Sequence, residues 1–250
     1  MKLMVKHMKK SALSKWLLLA LLLLPLAACA DKSEQNTATE QVTKTATTEQ
    51  QSPPPAEKPV FKEGVHFVQL PRRVTPTVPS SKIEVVEMFW YGCPHCFKLE
   101  PHAVVWKTKI PEDIAFRSVP AVLNPSWATH ARAYYAAEEL GLLKTSHEAL
   151  FKSIHEQGRR INNEDALARF FERQGADKAK FKAAMHSSAV EAKMKRAEKL
   201  GREYGLTGVP SLIVDGQYRV LLDNIASYEE LFSIVDFLIE KVRSDRLASG

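Results

Sequence analysis

The sequence predicts an α/β fold with an inserted all-helical segment. One observation is an apolar, β-branched run that ends at Gly92, which is typical of a buried strand, and it passes directly into residues with helical spacing. A second is the segment 124–204, whose pattern is almost wholly helical. A third is the return to strand-like residues at 212–222, followed by a last helix. Together these observations predict a sheet-containing domain interrupted by a helical block.

The first 28 residues are predicted to be a signal peptide and not part of the fold. Five lysines precede the apolar run 16–26, which is too short for a comfortable membrane span. The run ends in Leu-Ala-Ala-Cys at residues 26–29, which resembles a bacterial lipoprotein signal. The resemblance implies cleavage before Cys29 and lipid attachment to it; a plain secretory signal with an incidental cysteine is the alternative.

Lipidation of Cys29 would leave Cys93 and Cys96 as the only remaining pair among the three cysteines of the chain. Removal of residues 1–28 takes Lys+Arg from 35 to 30 against 29 Asp+Glu, so the formal net charge falls from +6 to +1. The basic charge is therefore mostly signal peptide, and no nucleic-acid partner is expected.

Residues 29–59 are predicted to be the lipidated N-terminus and a disordered tether. They are rich in Thr, Gln, Glu, Ser, Pro and Ala and carry almost no large apolar side chains, so they cannot bury enough surface to offset their ordering entropy. Such a segment reaches about 30 Å as a coil. The folded domain is expected to occupy residues 60–250.

The first half of this domain predicts a βαβ unit. Residues 65–70 alternate apolar and polar side chains and predict a short strand, and the proline-containing residues 71–81 predict a loop. The central strand then leads into a helix bounded by Pro111, and residues 114–119 predict the next strand. A right-handed parallel crossover is the default for this order.

Five helices are predicted in the insertion. The first is expected to be capped by Ser126 and to end at Gly141. The others are expected at 146–157, between Asn163 and Gly175, around 181–185, and at 189–204. The histidines of this block are expected to be surface or packing residues and not ligands: His130, His147, His155 and His186.

The last part of the chain predicts a hairpin and a helix. Asp215-Gly216 is a strong hairpin-turn signal between strands at 212–214 and 218–222. Ser227 and Glu230 are spaced as a capping box for a final helix that runs to about residue 242.

The chemistry is predicted at Cys93-Pro94-His95-Cys96, where the central strand turns into the first helix. A thiolate at Cys93 would face unpaired backbone N–H groups and the positive end of the helix dipole, and His95 could add a positive charge. Pro94 suits the first helical position. We therefore expect Cys93 to be the attacking thiolate and Cys96 the less exposed resolving thiol. A structural disulfide, half of a zinc site and two inert core cysteines are the alternatives.

The order strand, Cys-x-x-Cys, helix, strand, then Gly208-Val209-Pro210 before a hairpin and a final helix resembles the thioredoxin superfamily. The helical insertion and the Cys-Pro-His-Cys motif resemble the DsbA family of periplasmic thiol oxidases in particular, in a lipoprotein variant. The resemblance implies that Pro210 is cis and lies against the cysteines, and that Val209 and Pro210 bind an extended substrate peptide. Glu87 and Glu100 fall where that family often carries acidic groups, and Glu87 is a candidate proton acceptor for Cys96.

The expected function is donation of the Cys93–Cys96 disulfide to folding secreted proteins that carry free cysteines. The resemblance implies no cofactor beyond this disulfide, no metal, a DsbB-like quinone-linked membrane protein as reoxidant, and a monomer anchored by lipid to the periplasmic side of the inner membrane. A disulfide isomerase or reductase on the same fold, or a lipoprotein that binds peptide or metal without turnover, remains an alternative.

Overall fold

The computed structural model describes residues 60–248, so the predicted signal peptide, Cys29 and the tether lie outside the described residues. The described part holds a five-stranded sheet with strands β1 Phe67–Gln69, β2 Ile83–Phe89, β3 Ile114–Pro120, β4 Ser211–Val214 and β5 Tyr218–Val220. Its helices are α1 Pro94–Lys107, α2 Pro125–Glu139, α3 Leu143–His155, α4 Glu164–Arg173, α5 Lys178–Met185, α6 Ser188–Glu203 and α7 Tyr228–Ala248. None of these helices is long and apolar enough to cross a membrane.

The strand β2 lies between β4 and the edge strand β3 in the sheet, whose order is β1-β5-β4-β2-β3. It pairs parallel with β3 and antiparallel with β4, and all of its residues are buried. Because α1 connects β2 to the parallel strand β3, the predicted βαβ unit is confirmed. The C-terminal end of β2, and the motif that follows it, therefore lie between the ends of β4 and β3.

Two hydrophobic cores cover the two faces of the sheet. One lies between the sheet and the inserted helices α2–α6 and takes Val86, Met88 and Ile213 from the strands. The other lies against α1 and α7 and takes Val85 and Val214. This alternation along β2 is the period-2 pattern of a strand buried on both faces. Both cysteines belong to the core on the side of the helical insertion.

The predicted hairpin between β4 and β5 is confirmed. Asp215 and Gly216 both have positive φ, 52° and 62°, and the Gln217 N–H donates to the Val214 carbonyl at 2.9 Å. A Cβ at Gly216 would lie 1.9 Å from the Val74 carbonyl oxygen, so only glycine fits there. Ser227 caps the final helix as predicted, since its hydroxyl accepts from the Glu230 N–H at 3.1 Å. The Glu230 carboxylate completes the box one residue early, because it accepts from the Ala226 N–H and not from that of Ser227.

Two helix starts in the insertion differ from the prediction. The cap of α2 is Asn124 and not Ser126: its Oδ1 accepts from the backbone N–H of Ser126 and of Trp127, each at 3.1 Å, and Pro125 takes the first helical position. The helix α3 begins at Leu143, three residues before the predicted start, after the uncapped Leu142. The start of α3 was missed because its N-cap carries no polar side chain.

Candidate redox site

Cys93 is the N-cap residue of α1, at the point where the chain leaves β2. Its backbone is extended, with φ −87° and ψ 118°, and Pro94 begins the helix. The Cys93 N–H donates to the Trp90 carbonyl at 3.0 Å, which closes the turn between strand and helix. Cys93 is 7% exposed and Cys96 fully buried, as expected for an attacking and a resolving thiol. Both are free thiols, so the site is described in its reduced form.

The two thiols have opposite acidities. The pKa of Cys93 falls from 9.0 to about 6 because the Cys96 thiol and the backbone N–H groups of Cys96 and His95 donate to its sulfur and the charge of His95 attracts it, although burial opposes the shift. The pKa of Cys96 rises far above its ordinary value, first through burial, then through its hydrogen bond to Cys93 and the charge of Glu87. Near pH 7 the reduced pair therefore holds one thiolate and one thiol.

The peptide bond between Val209 and Pro210 is cis, as the resemblance implied. The Cys93 sulfur lies 3.3 Å from the Val209 carbonyl oxygen, so this loop, 116 residues away in sequence, lies directly against the reactive sulfur. Beside it runs a groove of about 590 Å³ lined by His95, Val209, Pro210, and residues 222–223 and 225–229. Tyr228 on this groove donates its hydroxyl to the His95 carbonyl at 3.4 Å. A polypeptide laid along the groove would pass beside Cys93.

Glu87 and Glu100 form a buried acidic pair beneath the cysteines. Burial and the charge of Glu100 raise the pKa of Glu87 from 4.5 to about 8, against the attraction of Lys107 and a hydrogen bond from Ser118. Burial also acts to raise the pKa of Glu100, but His147 and Lys107 outweigh it, so this pKa lies below its ordinary value. Near pH 7 Glu87 therefore carries the proton and Glu100 the charge.

Two histidines of the insertion belong to this site, which the sequence analysis did not anticipate. His147 places Nε2 3.5 Å from the Glu100 carboxylate and Nδ1 2.7 Å from the Tyr91 hydroxyl. His155 holds the Tyr91 carbonyl through Nε2 at 2.8 Å and stacks on Phe97. The two histidines lie eight residues apart on α3, but this spacing alone does not point to the site, because their partners Tyr91 and Glu100 are distant in sequence.

The turn before Cys93 is fixed by an aromatic stack. Trp90 stacks on Trp127 at the start of α2, with ring centroids 4.8 Å apart and planes 12° apart. Gly92 lies under the Trp90 indole so closely that a Cβ there would lie 2.3 Å from it. The first helix of the insertion thus positions the redox turn, and glycine is required within it.

The structure brings together eight of the nine residues predicted for the site: Cys93, Cys96, Pro94, His95, Glu87, Glu100, Val209 and Pro210. Cys29 lies outside the described residues. Within residues 60–248 no three side chains of His, Cys, Asp or Glu are arranged to hold a metal ion.

A Cys-x-x-Cys pair at a helix N-terminus, with one acidic thiol and a cis-proline loop against it, defines a thiol:disulfide oxidoreductase of thioredoxin-like fold. Comparison with known proteins narrows this class. Residues 99–231 match the DSBA-like thioredoxin domain family. That match begins just after Cys96.

The alignments with full-length relatives include the two cysteines as well. The thiol:disulfide interchange protein DsbA of Azotobacter vinelandii is 39% identical over 184 residues, 74% of this chain and 86% of that protein. The DsbA of Pseudomonas aeruginosa strain PAO1 is 37% identical over 74% of this chain and 87% of that protein. A match of this length within 250 residues necessarily includes Cys93 and Cys96.

Solved structures agree with the sequence matches. The crystal structure of Pseudomonas aeruginosa DsbA superposes with a TM-score of 0.70 at 36% identity, covering 74% of this chain and 96% of that one. That of the oxidoreductase DsbA from Xylella fastidiosa gives a TM-score of 0.68 at 34% identity, over 75% and 99% of the two chains. The chain belongs to the DsbA family and is a protein thiol:disulfide oxidoreductase.

Proposed function

We propose that this protein is a lipid-anchored periplasmic disulfide donor. In this role the oxidised Cys93–Cys96 pair accepts two electrons from two thiols of a secreted protein that is still folding, and the substrate gains a disulfide. No cofactor beyond the cysteine pair takes part.

The observation that carries the proposal is the depressed pKa of Cys93, about 6. An environment that stabilises the Cys93 thiolate stabilises the reduced enzyme, and it therefore makes the disulfide oxidising. The low pKa also makes Cys93 a good leaving group when the substrate departs. Both effects favour donation of a disulfide to the substrate over reduction of a disulfide in the substrate.

The reaction proceeds in two exchanges. A substrate thiolate attacks the Cys93 sulfur, the Cys93–Cys96 bond breaks, and Cys96 leaves and takes up a proton because its pKa is strongly raised. A second substrate thiolate then attacks the substrate sulfur of the mixed disulfide, and Cys93 leaves as a thiolate. The substrate has lost two electrons and the enzyme has gained them.

Glu87 supplies the proton that Cys96 needs. Its carboxyl is buried, and its ionised form would raise the pKa of Cys96. Its own pKa of about 8 keeps it protonated near neutral pH. Glu100, held ionised by His147 and Lys107, is what keeps that proton on Glu87, since a second negative charge beside it is unfavourable. Glu87 then regains a proton from solvent, in agreement with its protonated carboxyl in the reduced site near pH 7.

Substrate binding is proposed at Val209 and Pro210. Their loop lies against Cys93, and the groove beside it accepts an extended polypeptide whose backbone can contact this loop. Contact with backbone and not with particular side chains would suit many different unfolded clients.

The N-terminal sequence supports the proposed location. A lipid on Cys29 and a tether to residue 59 would hold a monomeric domain at the periplasmic side of the inner membrane, within reach of a DsbB-like quinone-linked reoxidant. Replacing Cys29→Ala should release the protein from the membrane fraction and abolish palmitate labelling; retention of both in the variant would refute the anchor.

Oxidative refolding of a reduced secreted protein tests the proposed activity. The oxidised chain should introduce one disulfide per Cys93–Cys96 pair, and Cys93→Ala should be inactive. Cys96→Ala should accumulate a mixed disulfide through Cys93 when oxidised glutathione is added as the two-electron oxidant that this variant lacks. A wild-type chain that reduces or only reshuffles the client's disulfides, and never adds to their number, would contradict a donor.

A further inference from the structure

The helical insertion contains a pocket of about 380 Å³ that is walled by four arginines. Arg159 and Arg160 follow the end of α3, and Arg169 and Arg173 lie on α4. All four are exposed, and the remaining lining is the apolar Ile161 together with the neighbouring Ala166. No carboxylate lines this arginine pocket.

The four guanidinium groups have no direct carboxylate partner in the part of the chain that the structure describes, although the charge of Arg169 also acts on Asp165. None of them forms an ion pair with a described residue, whereas the two acidic residues at the start of α4 pair elsewhere. Glu164 contacts His186 at 2.7 Å, and Asp165 contacts Lys182 at 2.5 Å. The carboxylates of Glu164 and Asp165 are therefore bonded to α5 and its C-terminal end.

This concentration of charge is unfavourable without an external anion. Arg169 and Arg173 are spaced i, i+4 on α4, where like charges destabilise a helix by a few tenths of a kcal/mol. Guanidinium groups bind phosphate oxygens in bidentate pairs, and several of them around an apolar floor suit a phosphate ester that carries hydrocarbon. The composition of the pocket thus favours phosphate-bearing amphiphiles.

The arginine pocket borders the redox site. The segment that carries Arg159 and Arg160 is held at both ends by contacts to the turn before Cys93. At one end His155 binds the Tyr91 carbonyl at 2.8 Å. At the other end the Ile161 carbonyl lies 2.7 Å from His130 Nε2, and the His130 ring packs on Trp90 and Tyr91. The pocket is therefore connected to the redox turn through His155 at one end and through Ile161 and His130 at the other.

We propose that the arginine pocket binds the phosphate groups of anionic phospholipids at the membrane surface. The proposal rests on the membrane location proposed above, because a tether of about 30 Å keeps the domain near that surface. The mature chain has a formal net charge of only +1, so attraction to an anionic membrane depends on a local cluster. Docking through the pocket would bring the redox site to the bilayer, where a quinone-linked reoxidant resides.

Vesicle co-sedimentation tests the proposal with the chain from residue 29 carrying Cys29→Ser, so that no lipid anchors it. The protein should sediment with vesicles of phosphatidylcholine and phosphatidylglycerol in equal amounts, and not with phosphatidylcholine alone. Arg169→Gln with Arg173→Gln should weaken binding about 25-fold, since each basic residue near an anionic surface contributes roughly fivefold. The matched control, Arg72→Gln with Lys109→Gln, removes the same charge from exposed, unpaired positions and should leave binding unchanged.

Equal loss of binding in the control pair, or binding to neither kind of vesicle, would overturn the proposal. Arginine-dependent binding of polyglutamate without binding of vesicles would also overturn it, because the pocket would then accept acidic polypeptides. Oxidative refolding activity in solution, measured on the same variants, separates this outcome from failure of the proposed function. A wild-type rate with no vesicle binding refutes only the lipid site.

Discussion

At the residue scale, the acidity of Cys93 arises mainly from hydrogen bonds and only secondarily from charge. The Cys96 thiol and two backbone N–H groups donate to the Cys93 sulfur, and the charge of the exposed His95 is a smaller contribution. The backbone donors are fixed by the helix and cannot be removed by substitution. The sequence predicted the backbone N–H groups and His95 as contributors, and what it did not reveal is the donation from the Cys96 thiol, which is the largest contribution.

Replacing His95→Ser should therefore raise the pKa of Cys93 by less than about one unit. The thiolate keeps its hydrogen-bond donors and loses only a neighbouring positive charge. Ultraviolet absorbance of the thiolate against pH measures this shift, with His186→Ser on the surface of the insertion as control. An unchanged or lowered pKa would contradict the assigned role of His95.

Glu87 gives a second prediction at this scale, on stability against pH. Because its pKa rises from 4.5 to about 8 on folding, the folded state holds this proton more tightly than the unfolded state. Its contribution is complete below about pH 4.5 and is lost as pH rises through about 8. The wild type should therefore lose stability relative to Glu87→Gln across that window, by a few kcal/mol at most, since one pKa unit is about 1.4 kcal/mol.

Denaturant unfolding at several pH values measures this difference, and Glu112→Gln at an exposed position is the control. A Glu87→Gln variant whose stability follows the wild type in parallel from pH 5 to pH 8 would show that Glu87 does not retain its proton in the fold.

At the element scale, the turn between β2 and α1 depends on its glycine. A Cβ at Gly92 would lie 2.3 Å from the Trp90 indole, which is already stacked on Trp127. Gly92→Ala should destabilise the protein by about 1–3 kcal/mol, because the stack must open to admit the methyl group. Gly208→Ala is the matched control, since nothing lies within 4 Å of a Cβ there.

Thermal unfolding and Trp fluorescence of the two variants distinguish these expectations. The Gly92→Ala variant should show a lower Tm and a changed Trp environment, and Gly208→Ala should match the wild type in both. Equal behaviour of the two variants would mean that the stack does not constrain the turn.

The elements themselves were predictable where a local signal marks them. The βαβ unit, the Asp215-Gly216 hairpin and the Ser227 cap of the final helix each depend on neighbouring residues, and all three are confirmed. The start of α3 has no such signal. His147 belongs to the site only through its contacts with Tyr91 and Glu100, which lie 56 and 47 residues away in sequence. No local sequence pattern encodes such contacts.

At the scale of the whole molecule, Asp215 ties distant parts of the chain together. Its carboxylate is fully buried and receives Arg73 from the loop before β2 at 2.6 Å, Arg246 from the end of α7 at 2.8 Å, and Gln217 at 3.0 Å. The sequence analysis treated Asp215 only as a turn residue, because its partners lie 142 and 31 residues away. Its positive φ of 52° is tolerated by asparagine.

Asp215→Asn should therefore keep the turn but lose the charge that both arginines need, at a cost of about 3 kcal/mol. Asp215→Ala should cost more, since alanine also disfavours the backbone conformation. Urea unfolding measures the free energy of unfolding of the three proteins, which should decrease from the wild type to the Asn variant to the Ala variant. An Asn variant as stable as the wild type would show that the turn geometry, and not the ion pairs, is what matters.

The central claim is that the fold makes Cys93–Cys96 an oxidising disulfide, and its equilibrium with glutathione at pH 7 tests this most directly. The Cys29→Ser chain should remain reduced until the buffer is strongly oxidising, which corresponds to a potential above about −180 mV, the value typical of protein disulfide isomerase. A potential near −270 mV, as in thioredoxin, would contradict the account and make the protein a reductant.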